Sequence, residues 1–167
     1  MEDKLYLLVL KFLSFRPRSE KEVRDYLKKK QQKFLDINSS SIDLLIYTLK
    51  QQKFLNDRDF AKMWIRSRTE YKPKGERLIR MELQQKGISK DLINEAFEEY
   101  KKEQEDSQSE GRDEFLLAKG LLERKRRKYE HLEDRERFSK AGSMLARRGF
   151  DLDTIKAAID SCFGKMV

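Results

Sequence analysis

One short pattern occurs twice in this chain. Residues 83–97 read Leu-Gln-Gln-Lys-Gly-Ile-Ser-Lys-Asp-Leu-Ile-Asn-Glu-Ala-Phe, and residues 145–159 read Leu-Ala-Arg-Arg-Gly-Phe-Asp-Leu-Asp-Thr-Ile-Lys-Ala-Ala-Ile. Aligned on Gly87 and Gly149, Leu83 falls on Leu145, Lys86 on Arg148, Ile93 on Ile155 and Ala96 on Ala158. Each copy reads as the end of one helix, a glycine stop and the start of the next helix. A chain that repeats such a unit is an array of small helical modules. Arrays bind extended partners more often than they catalyse reactions.

Composition agrees with an all-α array. The 167 residues are 41% charged and 38% hydrophobic, so the apolar side chains must sit on narrow helical faces. Only 2 prolines and 7 glycines interrupt the chain, which leaves long stretches free to be helical. No segment alternates apolar and polar residues over a useful length, as a half-buried strand would. Lys and Arg number 38 against 30 Asp and Glu, a net charge of +8. That balance points to polyanions, nucleic acid before an acidic membrane surface.

Cys162 and His131 are the single cysteine and histidine. They support neither an internal disulfide nor a Cys/His zinc site. Cys162 reads as a small buried hydrophobe and His131 as a surface residue. The apolar run from Leu5 to Phe15 is broken by Lys11 and is too short to span a bilayer. It lacks the basic start and cleavage site of a signal peptide, so the expected location is cytoplasmic, with no membrane partner.

The spacing predicts nine helices in three groups of three. The run from Leu5 to Phe15 predicts a well-buried first helix, stopped at Arg16-Pro17-Arg18. Ser19-Glu20-Lys21-Glu22 is a capping box that opens the second, with Val23 and Leu27 buried and Tyr26 alongside. Ser39 to Ser41 offers a further cap, before Ile42, Leu45, Ile46 and Leu49 on one face. Asn56 or Asp57 caps the next helix, which buries Phe60, Met63 and Trp64. Replacing Trp64 with Ala is expected to cost roughly 3–5 kcal/mol if the ring is buried. Pro73-Lys74-Gly75 breaks that helix, and Leu78, Ile79 and Leu83 line the one after it. The last group carries Phe115, Ala118 and Leu122, then Phe138, Ala141 and Leu145, then Leu152, Ile155, Ile159 and Phe163. Between the second and third groups, Glu98 to Glu114 holds eight acids and three bases. The expected units are 1–54, 55–102 and 115–167, with 103–114 an acidic hinge or helix extension.

Catalytic arrangements are lacking. There is no glycine-rich phosphate loop followed by Lys-Ser/Thr. Asp57 and Asp59 are explained by helix capping, and no metal or cofactor is expected. The basic residues are more informative. Arg66, Arg68, Lys72, Lys74, Arg77 and Arg80 gather around the turn after the fourth helix. Arg124-Lys125-Arg126-Arg127-Lys128 is the densest run in the chain, with charges wrapped around a helix. Lys86 and the matching pair Arg147-Arg148 repeat the theme. Rows of such cations neutralise phosphates and give salt-sensitive, sequence-independent binding. Tyr71 and Tyr129 lie among them, and packing is the expected role of both.

Several blocks, taken in order, resemble the RecX family, regulators of the RecA recombinase. They are Arg16-Pro17-Arg18-Ser19-Glu20-Lys21-Glu22-Val23 with Leu27; Phe54-Leu55-Asn56-Asp57-Arg58-Asp59-Phe60-Ala61; Arg68; Lys74-Gly75 with Ile79 and Leu83; and Lys86-Gly87-Ile88 with Ile93. The third group matches through Leu145, Arg148-Gly149 and Ile155. The acidic stretch departs from the family pattern. The resemblance implies an elongated, curved array of three tandem three-helix repeats without a catalytic site. It implies a monomer that binds RecA and single- and double-stranded DNA in the groove of the RecA–DNA filament. Such a protein restrains strand exchange, ATP turnover and cleavage of the SOS repressor, and so acts in DNA repair and recombination. Read from the residues alone, a helix-turn-helix or other DNA-binding protein without a RecA link, or a protein scaffold, stays open.

Overall fold

The structure, a computed structural model, describes residues 2–31, 38–106 and 113–165. Among these residues every regular element is helical. The first module holds α1 (Glu2–Ser14), α2 (Glu20–Gln31) and α3 (Ser39–Gln51). The second holds α4 (Asp57–Glu70), α5 (Glu76–Gln85) and α6 (Lys90–Asp106). The third holds α7 (Glu114–Glu123), α8 (Arg126–Tyr129), α9 (Asp134–Ala146) and α10 (Leu152–Phe163). The described residues thus form ten helices, not nine. The extra one is the four-residue α8, and it changes the reading of the basic run. Arg124 and Lys125 turn the chain after α7, so the run bends around a corner and does not follow one helix.

Each module buries its own apolar cluster. Val9, Val23, Leu27, Ile42, Ile46 and Leu49 form the first. Phe60, Ile65, Ile79, Leu83, Ile93 and Phe97 anchor the second. Leu122, Tyr129, Leu145, Phe150, Ile155 and Ile159 anchor the third. The helix pairs that pack extensively all lie within one module, α4 with α6 and α7 with α10 foremost.

Local chemistry sets the helix ends. The Ser19 hydroxyl accepts from the Glu22 N–H at 3.3 Å, and the Glu22 carboxylate accepts from the Ser19 N–H at 3.3 Å, a closed capping box. Asn56 caps α4 through the N–H groups of Arg58 and Asp59. The cap of α3 is Asn38, not the serines that follow it. The near-repeat is a pair of matching glycine stops. Gly87 and Gly149 sit at φ +84° and +90°, and the next N–H reaches back to Leu83 in one copy and Leu145 in the other. This is the six-to-one bond of a Schellman ending, and the residues that make it, Ile88 and Phe150, are buried.

Two apolar expectations fail. In α1 only Val9 is fully buried, while Leu7 is exposed, as is Phe15 just past the end of the helix. A single module of this size has room for one stripe of the helix. Leu152 is 69% exposed because it opens α10, one turn before the face that packs on α7 and α9. Phe12 does find a partner. It stacks on Tyr26 at 4.1 Å, with the Arg18 guanidinium 4.1 Å over its other side.

Two joints connect the modules, and they are built alike. At the first, the buried Ser19 hydroxyl donates to the Lys86 carbonyl at 2.7 Å. The Glu20 N–H donates to the Asp57 carboxylate at 2.8 Å. At the second, the Gly75 N–H donates to the Arg148 carbonyl at 2.9 Å, and the Glu76 N–H donates to the Glu114 carboxylate. In both, the start of one module's second helix receives two things from the next module. One is the carbonyl before its left-handed glycine, the other the first acid of its leading helix. Burial pushes the Asp57 and Glu114 carboxyls above their ordinary pKa range.

Candidate nucleic-acid interface

The fourteen basic residues singled out by sequence divide by what they touch. Six are engaged by the fold. Arg66 pairs with Glu103 at 2.5 Å, within a zipper where Arg58 and Lys62 of α4 also face Glu99 of α6. Arg68 and Lys74 both bind Glu82, and Arg68 lies 4.1 Å over the Trp64 ring. Arg80 pairs with Glu76 at 2.6 Å and covers Phe97. Lys86 donates to Glu22 at 2.6 Å across the first joint. Arg148 donates to the Pro73 carbonyl at 3.1 Å across the second. Five of the six must exchange a carboxylate for a phosphate to bind nucleic acid, which reduces the gain, and Arg148 must leave a carbonyl.

Two of the carboxylates that hold these cations, Glu22 and Glu82, are held below the ordinary carboxylate range. Burial acts to raise Glu22, yet hydrogen bonds from Arg16, Lys86 and the Ser19 N–H bring its pKa from 4.5 down to about 2. Glu82 behaves likewise. Its burial is outweighed by Lys74, Arg68 and the Trp64 N–H, and its pKa is lowered.

The remaining cations are exposed. Lys72 and Arg77 flank the loop into α5, and Arg147 neighbours the carbonyl that bonds Gly75. Lys72 in the loop before α5, Arg77 in the first turn of α5 and Arg147 at the end of α9 thus stand on the segments that meet at the second joint. Tyr71, at 80% exposure, stands beside them and does not pack as expected. Tyr129 does, at 3% exposure.

The largest group of exposed cations is the turn at 124–128. Glu123, Arg124, Lys125, Arg126, Arg127 and Lys128 line an open concavity of about 490 Å³. Three of these cations are lightly held, Lys128 by the Tyr129 ring 5.8 Å from its Nζ. Arg124 Nε donates to the Gly120 carbonyl at 3.1 Å, and Arg126 lies 3.7 Å from Glu130. Tyr129 explains the geometry. Its ring is driven into the third core, and the four-residue α8 that carries it turns the preceding cations outward around the corner. What results is a strongly positive, concave and solvated surface without a nucleophile or acid–base pair. It suits phosphate contact by charge.

Among the described residues no set of His, Cys, Asp and Glu is grouped to hold a metal, and no helix is long and apolar enough to cross a membrane.

Three family models match the chain in order. The first three-helix domain of RecX matches residues 6–31, the second 56–96 and the third 113–159. The chain belongs to the RecX family. Its relatives include proteins named regulatory protein RecX from Oceanobacillus iheyensis, 34% identical over 156 residues, and Bacillus subtilis, 34% identical over 151. These alignments cover 93% and 90% of this chain and 52% of each relative. The chain thus spans about half the length of the curated relatives it matches. Among solved structures, the crystal structure of RecX from Lactobacillus salivarius superposes with a TM-score of 0.75 at 26% identity, over 96% of both chains. A second, of regulatory protein RecX, gives 0.74 at 25% identity, covering 95% of this chain and 73% of that one. One matched stretch falls in each module, and the first ends at residue 31, before α3. The Arg16–Val23 block of the resemblance forms the capping box and half of the first joint. Lys86-Gly87 forms the other half.

Proposed function

We propose that this chain is a non-catalytic regulator that binds RecA and the RecA–DNA filament and mainly restrains recombinase, ATPase and coprotease activities. Membership of the RecX family supports a regulatory role. The observation that carries the nucleic-acid part is the exposed cationic turn at 124–128, extended by Lys72, Arg77 and Arg147 at the second joint. These residues touch the phosphate backbone of single- and double-stranded DNA without reading bases. The protein acts as a monomer in the cytoplasm, laid along its partner as an elongated curved array.

The test adds purified protein to RecA on single-stranded DNA and follows ATP hydrolysis. The expected result is a fall in turnover as the protein approaches stoichiometry. Unchanged turnover and unchanged filament length by electron microscopy reject the reading. Salt-sensitive binding to DNA with no effect on RecA favours a plain DNA-binding protein.

A further inference from the structure

α5 carries both joints, one at each end. Its N-terminus receives the third module through Gly75 and Glu76, and its C-terminus enters the first module through Lys86 and Gly87. The ten residues of α5 span about 15 Å at 1.5 Å per residue. The joints differ in kind from the module interiors. Each apolar cluster draws its members from one module, apart from the connecting Leu55. The joints consist of a few polar bonds and close glycine contacts, Gly87 against Lys21 at the first and Gly75 against Gly149 and Gly149 against Leu78 at the second. A Cβ on Gly87 would lie 2.6 Å from that of Lys21, and a Cβ on Gly75 would strike the Gly149 carbonyl. Interfaces of this small, polar type allow relative motion of the bodies they join.

We infer that the three modules move as rigid bodies about two independent, equivalent pivots at opposite ends of α5, each latched by a carboxylate on a helix-start N–H: Asp57 on Glu20 and Glu114 on Glu76. Opening the first latch swings α1–α3 and leaves the basic corner of the third module in place relative to α4–α6. Opening the second swings that corner and leaves the first module alone. The array therefore changes curvature in two separate steps. This inference does not depend on what the basic corner binds.

Gly75→Ala isolates the second pivot. Gly75 has φ −69° and ψ 152°, a backbone any residue adopts, so the methyl group strains only the joint. Ser19→Ala removes the hydroxyl bond of the first joint. Spin labels go on exposed positions in a Cys162→Ala background: Gln51→Cys with Glu98→Cys for the first pivot, and Glu98→Cys with Lys156→Cys for the second. Distance distributions are then measured by pulsed electron–electron resonance. Gly75→Ala is expected to shift and broaden only the second distribution, and Ser19→Ala to broaden only the first. If both distributions respond to either substitution, or neither responds, the two-pivot device is wrong. Should a variant lose helical circular dichroism, Glu114→Gln against Glu114→Asp decides. Gln keeps an acceptor oxygen at the same reach and stays narrow, while the shorter Asp broadens the second distribution alone. Equal widths for these two overturn the latch.

Discussion

Ser19 and Lys86 lie 67 positions apart, yet the fully buried Ser19 hydroxyl donates to the Lys86 carbonyl at 2.7 Å. The same oxygen caps α2 by accepting from the Glu22 N–H. Ser19→Ala leaves a carbonyl and a helix-start amide without their partner in one step. A loss of about 1–3 kcal/mol is expected, measured by urea denaturation of the whole chain. A change close to zero would mean that water replaces the hydroxyl without cost.

Glu22 gives the first joint a pH signature. Its folded-state pKa of about 2 lies below its ordinary 4.5. A depressed carboxylate adds stability that is complete above the unfolded-state value and lost as pH falls through the folded-state one. Glu22→Gln should therefore be less stable than the parent at pH 7, with the gap closing between about 4.5 and 2. Thermal melts at steps across that window follow it. A gap that stays constant down to pH 2 would remove Glu22 from the ionic tie between Arg16 and Lys86.

Much of the fold was legible because it depends on short-range chemistry. The two glycine stops, the capping box at Ser19 and the Asn56 cap each need residues within one helical turn. Leu7, Phe15 and Leu152 are exposed for a reason the sequence does not carry. Periodicity shows which residues share a face, but not how wide a face the neighbouring helices cover. The candidate site was half legible. Arg66, Arg68, Lys74, Arg80, Lys86 and Arg148 look free in the sequence, and their partners lie from 4 to 75 positions away. No local pattern marks Glu103 or Glu22 as the group that faces them. The two tyrosines show the same limit. Tyr129 sits in a basic run yet turns inward, and Tyr71 ends a helix and stays outside.

Trp64 is partly buried, with its N–H donated to Glu82 at 2.9 Å and its ring under Arg68 and Lys86. Glu82 keeps Arg68 and Lys74 when that N–H is lost. Trp64→Phe should thus cost only about 0.5–1.5 kcal/mol. Trp64→Ala removes the platform under both cations, but its cost should fall below the roughly 3–5 kcal/mol of a fully enclosed aromatic. Chemical denaturation of the two variants separates the bond from the ring. Equal losses would make the hydrogen bond the dominant contribution.

The division of the cations predicts which ones nucleic acid feels. Each phosphate neutralised contributes about 0.9 to the slope of log affinity against log salt on duplex DNA and about 0.7 on single strands. Lys125, Arg127 and Lys128 are exposed at the corner. Replacing all three with Ala should flatten the duplex slope by roughly 2–3, without loss of helical content. Arg124 and Arg126 are partly held by Gly120 and Glu130, so Arg124→Ala with Arg126→Ala should flatten it less per residue removed. Arg66→Ala should leave the slope unchanged, because Glu103 already neutralises that guanidinium. Fluorescence anisotropy of a labelled oligonucleotide at several salt concentrations measures all three. If Arg66 matters as much as Arg127, the α4–α6 zipper opens on binding and ion pairs in the free protein do not sort the contacts. If the triple variant keeps the parent slope, the corner faces protein instead of DNA.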